Sequence, residues 1–390
     1  MNRIYLDHAA TTPVRPEVAE RFAELLASAY GNPSSIHGTG RDARRILDES
    51  RTVIARSIGA EPNEIIFTGG GTESDNLAIF GTAAARKDEG RHIITSNVEH
   101  HGVMNAVRKL ETEGFSVTWL PVDQNGSVSP EDVRAALRDD TILVTIMTGN
   151  NEVGTIQPIG EIGEILKGHR ATFHTDAVQA YGEIPLDVDR LGVDLLSASA
   201  HKINGPKGTG FLYQRSGTKL SPSSAGGEQE RKRRAGTENV PAIAAFARAA
   251  EIAGETMEER SEEYGMFKRL FASAFMGEGI EFRINAAEAK TLPHILNISF
   301  PGTDIEQLLV NLDLEGIAVS SGSACTAGSI DPSHVLVAMY GEGAPELRNS
   351  VRFSFGYGLE GKDIRDAAAA TAAVVRRLTR LQKGENNDSN

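Results

Sequence analysis

Short, almost wholly apolar runs alternate with amphipathic stretches along more than half of this chain, and that rhythm admits few folds. Ile65–Thr68, His92–Thr95, Val117–Leu120, Ile142–Ile146, Phe173–Thr175, Asp194–Ser197 and Phe211–Tyr213 read as strands buried on both faces. Helical periodicity fills the gaps over Pro16–Ala29, Arg41–Ile58, Glu73–Arg86, Val103–Thr112 and Pro130–Leu137. Strands without polar alternation, separated by helices, predict an α/β fold on a largely parallel sheet. Near residue 240 the rhythm changes. One long helical run, Val240 to about Phe275, leads to a strand at His294–Phe300, a helix over 303–314, a strand at Val351–Phe355 and a helix over 361–382. This pattern predicts a smaller α+β domain. The expected division is a large domain over 16–255, a small one formed by 1–15 with 256–383, and a disordered polar tail over 384–390.

In open α/β sheets, ligands bind beyond the carboxyl ends of the strands. The unusual polar clusters all fall there. Gly69-Gly70-Gly71-Thr72-Glu73-Ser74 follows the first strand and precedes a helix, so its backbone can close on an anion at a helix N-terminus. A plain turn with Thr72 as N-cap explains the same residues. The segment lacks the Walker lysine and does not fit the dinucleotide fingerprint. His174-Thr175-Asp176-Ala177-Val178-Gln179 ends another strand, and Ser197-Ala198-Ser199-Ala200-His201-Lys202 a third. An anion loop, an acid and a lysine at strand ends together meet the needs of pyridoxal phosphate: a Schiff-base amine, a partner for the ring nitrogen and a phosphate pocket.

Cys325 is the only cysteine, set in Ser-Ser-Gly-Ser-Ala-Cys-Thr-Ala-Gly-Ser over 320–329. One cysteine excludes an intramolecular disulfide and a cysteine-based metal cluster within one chain. On residue type alone an incidental surface thiol, or one that packs when the loop folds, outweighs a nucleophile. A formal net charge of -13 argues against a broad grip on nucleic acid or an anionic membrane. Met1–Asp7 show no basic-then-apolar leader, and no stretch is apolar enough to span a bilayer, so a reducing cytoplasm is the expected location. The run Arg231-Lys232-Arg233-Arg234 reads as a solvated loop or a contact for an acidic partner.

Taken together, Tyr5-Leu6-Asp7-His8-Ala9-Ala10-Thr11-Thr12, Gly31-Asn32-Pro33-Ser34-Ser35, Gly71-Thr72-Glu73-Ser74-Asp75-Asn76, Glu99-His100, Asn150-Asn151-Glu152-Val153-Gly154, the Asp176 and Lys202 clusters, Arg234-Ala235-Gly236-Thr237-Glu238-Asn239 and Ser320–Cys325 resemble the NifS/IscS-like cysteine desulfurases. Those are fold-type I pyridoxal-phosphate enzymes of the class V aminotransferase fold. The serine-rich cysteine loop is similar to the long-loop subgroup rather than the short-loop SufS subgroup. Ala200 stands where that family often has Gly, and Gly69 where it often has Ser.

The resemblance implies roles at matching positions. Lys202 would carry the Schiff base and move the substrate α-proton, Asp176 would hold the ring nitrogen protonated, and Gln179 would bond the ring hydroxyl. His100 would stack on the ring and serve as acid or base near the sulfur. Gly71, Thr72, Ser199 and His201 would bind the phosphate. Thr237 would reach the phosphate of a neighbouring subunit, which implies a homodimer. Asn151 would sit near cofactor and substrate, and Arg352 would grip the substrate carboxylate. Cys325 would take sulfur from L-cysteine as a persulfide and pass it to an acceptor, an iron–sulfur scaffold or a transfer-RNA thiolation enzyme. No metal is expected, nor direct binding of nucleic acid or membrane. The competing readings are an aminotransferase or selenocysteine lyase of the same fold, and a non-catalytic sulfur-transfer scaffold.

Overall fold

The computed structural model describes residues 3–321, 325–326, 329–330 and 332–385. A seven-stranded sheet lies in the order Ile65–Thr68, Gly210–Gln214, Leu195–Ser199, Thr172–Asp176, Thr141–Thr145, His92–Ser96, Ser116–Leu120. Only Gly210–Gln214 runs against its neighbours; the other pairings within the sheet are parallel. Five of these strands, among them Thr172–Asp176 and Leu195–Ser199, are buried at every residue, because helices cover both faces. The antiparallel strand follows its neighbour through a loop, Ile203–Thr209, that needs no crossover helix.

A second, antiparallel sheet centres on Ile295–Ser299, flanked by Ser350–Ser354 and Arg283–Ile284. Its core is aromatic: Phe267, Phe271, Phe275, Phe300, Phe353 and Phe355 are at most 1% exposed. Their rings meet edge-on or tilted, as in Phe271 with Phe353 at 4.8 Å between centroids. The N-terminal strand Ile4–Tyr5 pairs with Ile317–Ala318, and the chain then runs towards the large sheet, where Thr12 N–H donates to the His201 carbonyl at 3.0 Å. Residues 7–12 thereby bridge the two sheets.

Three local expectations are corrected. The long helix is two, Val240–Glu255 and Met257–Gly277, meeting at Thr256. Thr256 donates its hydroxyl to the Ile252 carbonyl and accepts from Arg260 Nε, while Arg260 is held by buried Glu183 at 2.6 Å. That tether bends the chain where periodicity continues unbroken. Gly70, not Thr72, is the N-cap of helix Gly71–Arg86; its φ of 147° is available only to glycine at low cost. Ser333 caps the helix His334–Tyr340 by accepting from Leu336 N–H at 3.1 Å. The basic run is not wholly solvated: Arg234 pairs with Glu73 at 2.7 Å, and Arg233 donates to the Ile65 carbonyl at 3.2 Å. The terminal helix extends to Glu385, and residues 386–390 of the expected tail lie outside the described residues. Among the described residues, no helix is long and apolar enough to cross a membrane.

Candidate functional site

Each polar cluster sits at a strand's carboxyl end because a loop must turn there. Asp176 closes Thr172–Asp176, and Ser199 closes Leu195–Ser199. The single helical turn Ala200–Lys202 then aims the lysine inwards. Thr68 leads through Gly69 and Gly70 into helix Gly71–Arg86, whose first N–H groups lack partners within the helix. A Cβ on Gly71 would lie 2.5 Å from Val178 Cγ2, so only glycine lets that turn pack against the Asp176 loop.

These ends enclose a cavity of about 350 Å³. Gly71, Thr72, His100, Asn151, Asp176, Gln179, Ser199, His201, Lys202 and Arg352 all line it. Thr237 does not; it is exposed on the segment between Arg233 and Val240. Cys325 belongs to a two-residue strand, Cys325–Thr326, paired antiparallel with Ser329–Ile330. Within the cysteine loop over 320–329, residues 322–324 and 327–328 lie outside the described residues, as does the Cys325 side chain.

Lys202 Nζ donates to the carbonyls of Ala9 and Ala10, at 2.5 and 2.9 Å. Burial first, and then the nearby Arg352 guanidinium, lowers its pKa to about 8 against the opposing pull of Asp176 and Asp7. The amine is thus partly unprotonated near neutrality, as a nucleophilic lysine must be. Asp176 is 4% exposed and accepts from Val178 N–H at 2.8 Å. Burial raises its pKa, while His100 and Lys202 oppose that. Gln179 donates Nε2–H to the Ala9 carbonyl at 2.9 Å, and its Oε1 lies 3.3 Å from His294 Nε2. Arg352 pairs with Asp7 Oδ1 at 2.7 Å and donates to the Asn151 carbonyl at 2.8 Å, yet its buried Nε has no partner. That orphan donor, beside a cavity, suits an anionic ligand.

Sequence reasoning missed Asp7, Asp75 and Glu99 as parts of this site. All three sit in motifs quoted above, but spacing does not reveal which carboxyls lose water. Glu99 is fully buried, accepts from Ser96 Oγ at 2.5 Å and Met147 N–H at 3.1 Å, and burial lifts its pKa to about 8. A carboxyl raised on folding contributes stability that is complete below its unfolded pKa and lost as pH climbs through the folded value. Glu99→Gln should therefore flatten the decline in unfolding free energy between about pH 5 and 8. Denaturant titrations across that range check this; an unchanged slope would place Glu99 outside the effect.

A lysine, an acid and a helix N-terminus converge at the carboxyl ends of a mainly parallel sheet. This convergence defines a pocket of the kind that holds a phosphorylated aldehyde cofactor. Over residues 4–366 the chain matches the aminotransferase class-V family. It is 58% identical over 379 residues, covering 97% of this chain and 100% of the relative, to a protein of Bacillus subtilis (strain 168) named putative cysteine desulfurase IscS 1. A cysteine desulfurase IscS of Dictyoglomus turgidum is 47% identical over 377 residues, with 96% of this chain and 95% of that protein covered. A solved NifS-like protein superposes with a TM-score of 0.90 at 36% identity, covering 96% of this chain and 100% of that one. SspA in complex with cysteine gives a TM-score of 0.78 at 36% identity, covering 90% and 98%. The chain belongs to the aminotransferase class-V family, and the enzymes of that family to which it is similar depend on pyridoxal phosphate.

Proposed function

We propose that this protein is a pyridoxal-phosphate-dependent cysteine desulfurase, converting L-cysteine to L-alanine and leaving the sulfur as a persulfide on Cys325. The observation that carries the reading is the meeting of Lys202, Asp176 and Arg352 in one cavity with the Gly71–Thr72 helix start. When bound, the cofactor supplies an electron sink for the bonds at the substrate α- and β-carbons.

The chain's own groups do the rest. Lys202 Nζ would hold the cofactor covalently and, once free, would carry the substrate α-proton. Asp176 would hold the ring nitrogen and Gln179 the ring hydroxyl. His100, at the pocket's edge, covers the ring and moves a proton near the sulfur. Gly71, Thr72, Ser199 and His201 take the phosphate. Arg352, oriented by Asp7 and by the Asn151 carbonyl, takes the substrate carboxylate. The Cys325 thiolate attacks the substrate sulfur: an S–S bond forms, the C–S bond breaks, and its electron pair ends as a C–H bond of alanine.

Further parts of the proposal concern assembly. Residues 16–255 would form the cofactor domain, and 1–15 with 256–383 the domain bearing the cysteine. Exposure of Thr237 supports a homodimer in which it serves the partner's phosphate site. The acceptor would be an iron–sulfur scaffold or a transfer-RNA thiolation enzyme, met in the cytoplasm. Cys325→Ala tests the chemistry. The variant should keep the cofactor's visible absorbance, while alanine release from L-cysteine falls on the order of a thousandfold or more. Alanine and sulfide formation at the original rate would sink the nucleophile assignment, and keto-acid formation instead of alanine would favour an aminotransferase.

A further inference from the structure

We propose that Asp75 is a positioning residue for Asp176, holding a proton so that Asp176 alone carries negative charge at the floor of the cavity. This deepens the reading of Asp176 as the acid that faces the cofactor's ring, and rests on it.

Asp75 lies one turn into helix Gly71–Arg86, is 1% exposed, and still lines the cavity. Neither of its carboxyl oxygens has a hydrogen bond of good geometry. An oxygen of Asp75, an oxygen of Asp176 and a nitrogen of His100 all lie within 4.8 Å of one another. A Cβ on Gly102 would sit 3.1 Å from both Asp75 Oδ2 and His100 Nδ1, so the chain closes over the carboxyl and keeps water off it.

The groups around Asp75 decide where the proton goes. His174 Nε2 approaches Asp75 Oδ1 at 3.7 Å, but both ring nitrogens already bond hydroxyls, Thr145 Oγ1 at 2.8 Å and Ser197 Oγ at 3.0 Å. Burial holds its pKa at about 3, so His174 is neutral and balances nothing. Glu99 is a third buried acid facing the pair, and burial keeps it protonated near neutrality as well. His100 is no fixed cation, since burial lowers its pKa too. The cavity's lysine, Lys202, turns to Ala9 and Ala10 and acts on Asp176.

Two carboxyls this close, out of water, do not both ionise. Asp176 has a backbone N–H donor at 2.8 Å and is stabilised by Lys202; Asp75 has neither. The charge therefore settles on Asp176 and the proton on Asp75. Burial and the neighbouring Asp176 both push the Asp75 carboxyl upwards, in the same direction. A neutral acid beside Asp176 fills space that water would otherwise take and adds no second charge opposite the ring nitrogen.

The test uses the full-length holoenzyme with ¹³C-labelled aspartate carboxyls. The Cγ resonance is assigned by its loss in Asp75→Asn, or in Asp75→Ser should the amide variant not fold. That resonance should keep the shift of a protonated acid at pH 7, where an ordinary aspartate is ionised; the shift of an ionised carboxylate at pH 7 would overturn the proposal. Asp75→Asn, neutral and of the same shape, should leave the pH midpoint of the cofactor absorbance within a few tenths of a unit. Asp75→Ala should move it by about one unit, a tenfold change in proton affinity. An amide variant that shifts the midpoint as far as alanine does would also overturn it. Failure of the wild type to bind the cofactor would instead defeat the proposed function, and the carboxyl resonance would still report on Asp75.

Discussion

Lys202→Ala should lower alanine release from L-cysteine by about four orders of magnitude or more, because one side chain supplies both the covalent anchor and the proton carrier. The pocket prepares this amine by burial, and its pKa of about 8 leaves an appreciable unprotonated fraction near neutrality. Lys202→Arg should be nearly as impaired, since a guanidinium keeps its proton and cannot form the linkage. The variants would be followed by visible absorbance and by alanine release, with added ethylamine partly restoring Lys202→Ala. Turnover within tenfold of wild type would remove Lys202 from the chemistry.

The second large effect concerns stability. Arg51 and Glu230 form a buried, two-pronged pair at 2.6 and 2.7 Å, with side-chain exposures of 7% and 1%. Glu230 also accepts from Phe67 N–H at 3.1 Å, and the Arg51 guanidinium stacks 4.7 Å from the Phe67 ring centre. Glu230, Arg231 and Lys232 all adopt left-handed backbone, with φ of 45°, 57° and 67°. That is costly for three successive residues with side chains, so the buried pair must hold the turn. Glu230→Ala leaves Arg51 charged and unpaired in the interior and should destabilise the protein by about 3–5 kcal/mol. The double variant Arg51→Met with Glu230→Leu should recover much of that loss, since no lone charge remains. Thermal unfolding of the three proteins checks this; an unchanged melting temperature for Glu230→Ala would mean the pair contributes nothing.

The turn matters beyond stability. It leads through Arg234, which pairs with Glu73, and Glu73 in turn accepts from Gly69 N–H at 2.6 Å. The buried pair thus fixes the segment carrying Thr237 beside the glycine turn of the proposed phosphate site. The sequence run Arg231–Arg234 looked like surface charge because composition counts charges without their partners. Arg51, far away in the chain, is what makes Glu230 interior.

Periodicity made the seven strands of the large sheet legible to within a few residues, and the helices Gly71–Arg86, His101–Thr112 and Pro130–Ala136 between them, but not the short helices Ile159–Leu166 and Val188–Leu191. Strands buried on both faces leave a nearly continuous apolar run, which no surface loop imitates. The break at Thr256 was not legible, because the tether that bends it comes from Glu183, a residue distant in sequence. Seven of the expected site residues lie in glycine turns and strand-end polar clusters, which are local signals, whereas His100, Asn151 and Arg352 followed only from the family resemblance; the cavity gathers all ten. Asp75 escaped notice for the opposite reason: in sequence it is an ordinary acidic residue in a helix's second turn.

What the amino-acid sequence determined alone was the alternation of strands and helices, and which turns could bend around an anion. Both follow from backbone geometry and side-chain period within a few neighbouring residues. The tertiary structure alone decided which charges lose their water and what compensates them, as with Arg51 and Glu230, Lys202 against the Ala9 carbonyl, and Asp75 beside Asp176. Desolvation depends on everything that packs around a group, and most of those atoms come from elsewhere in the chain.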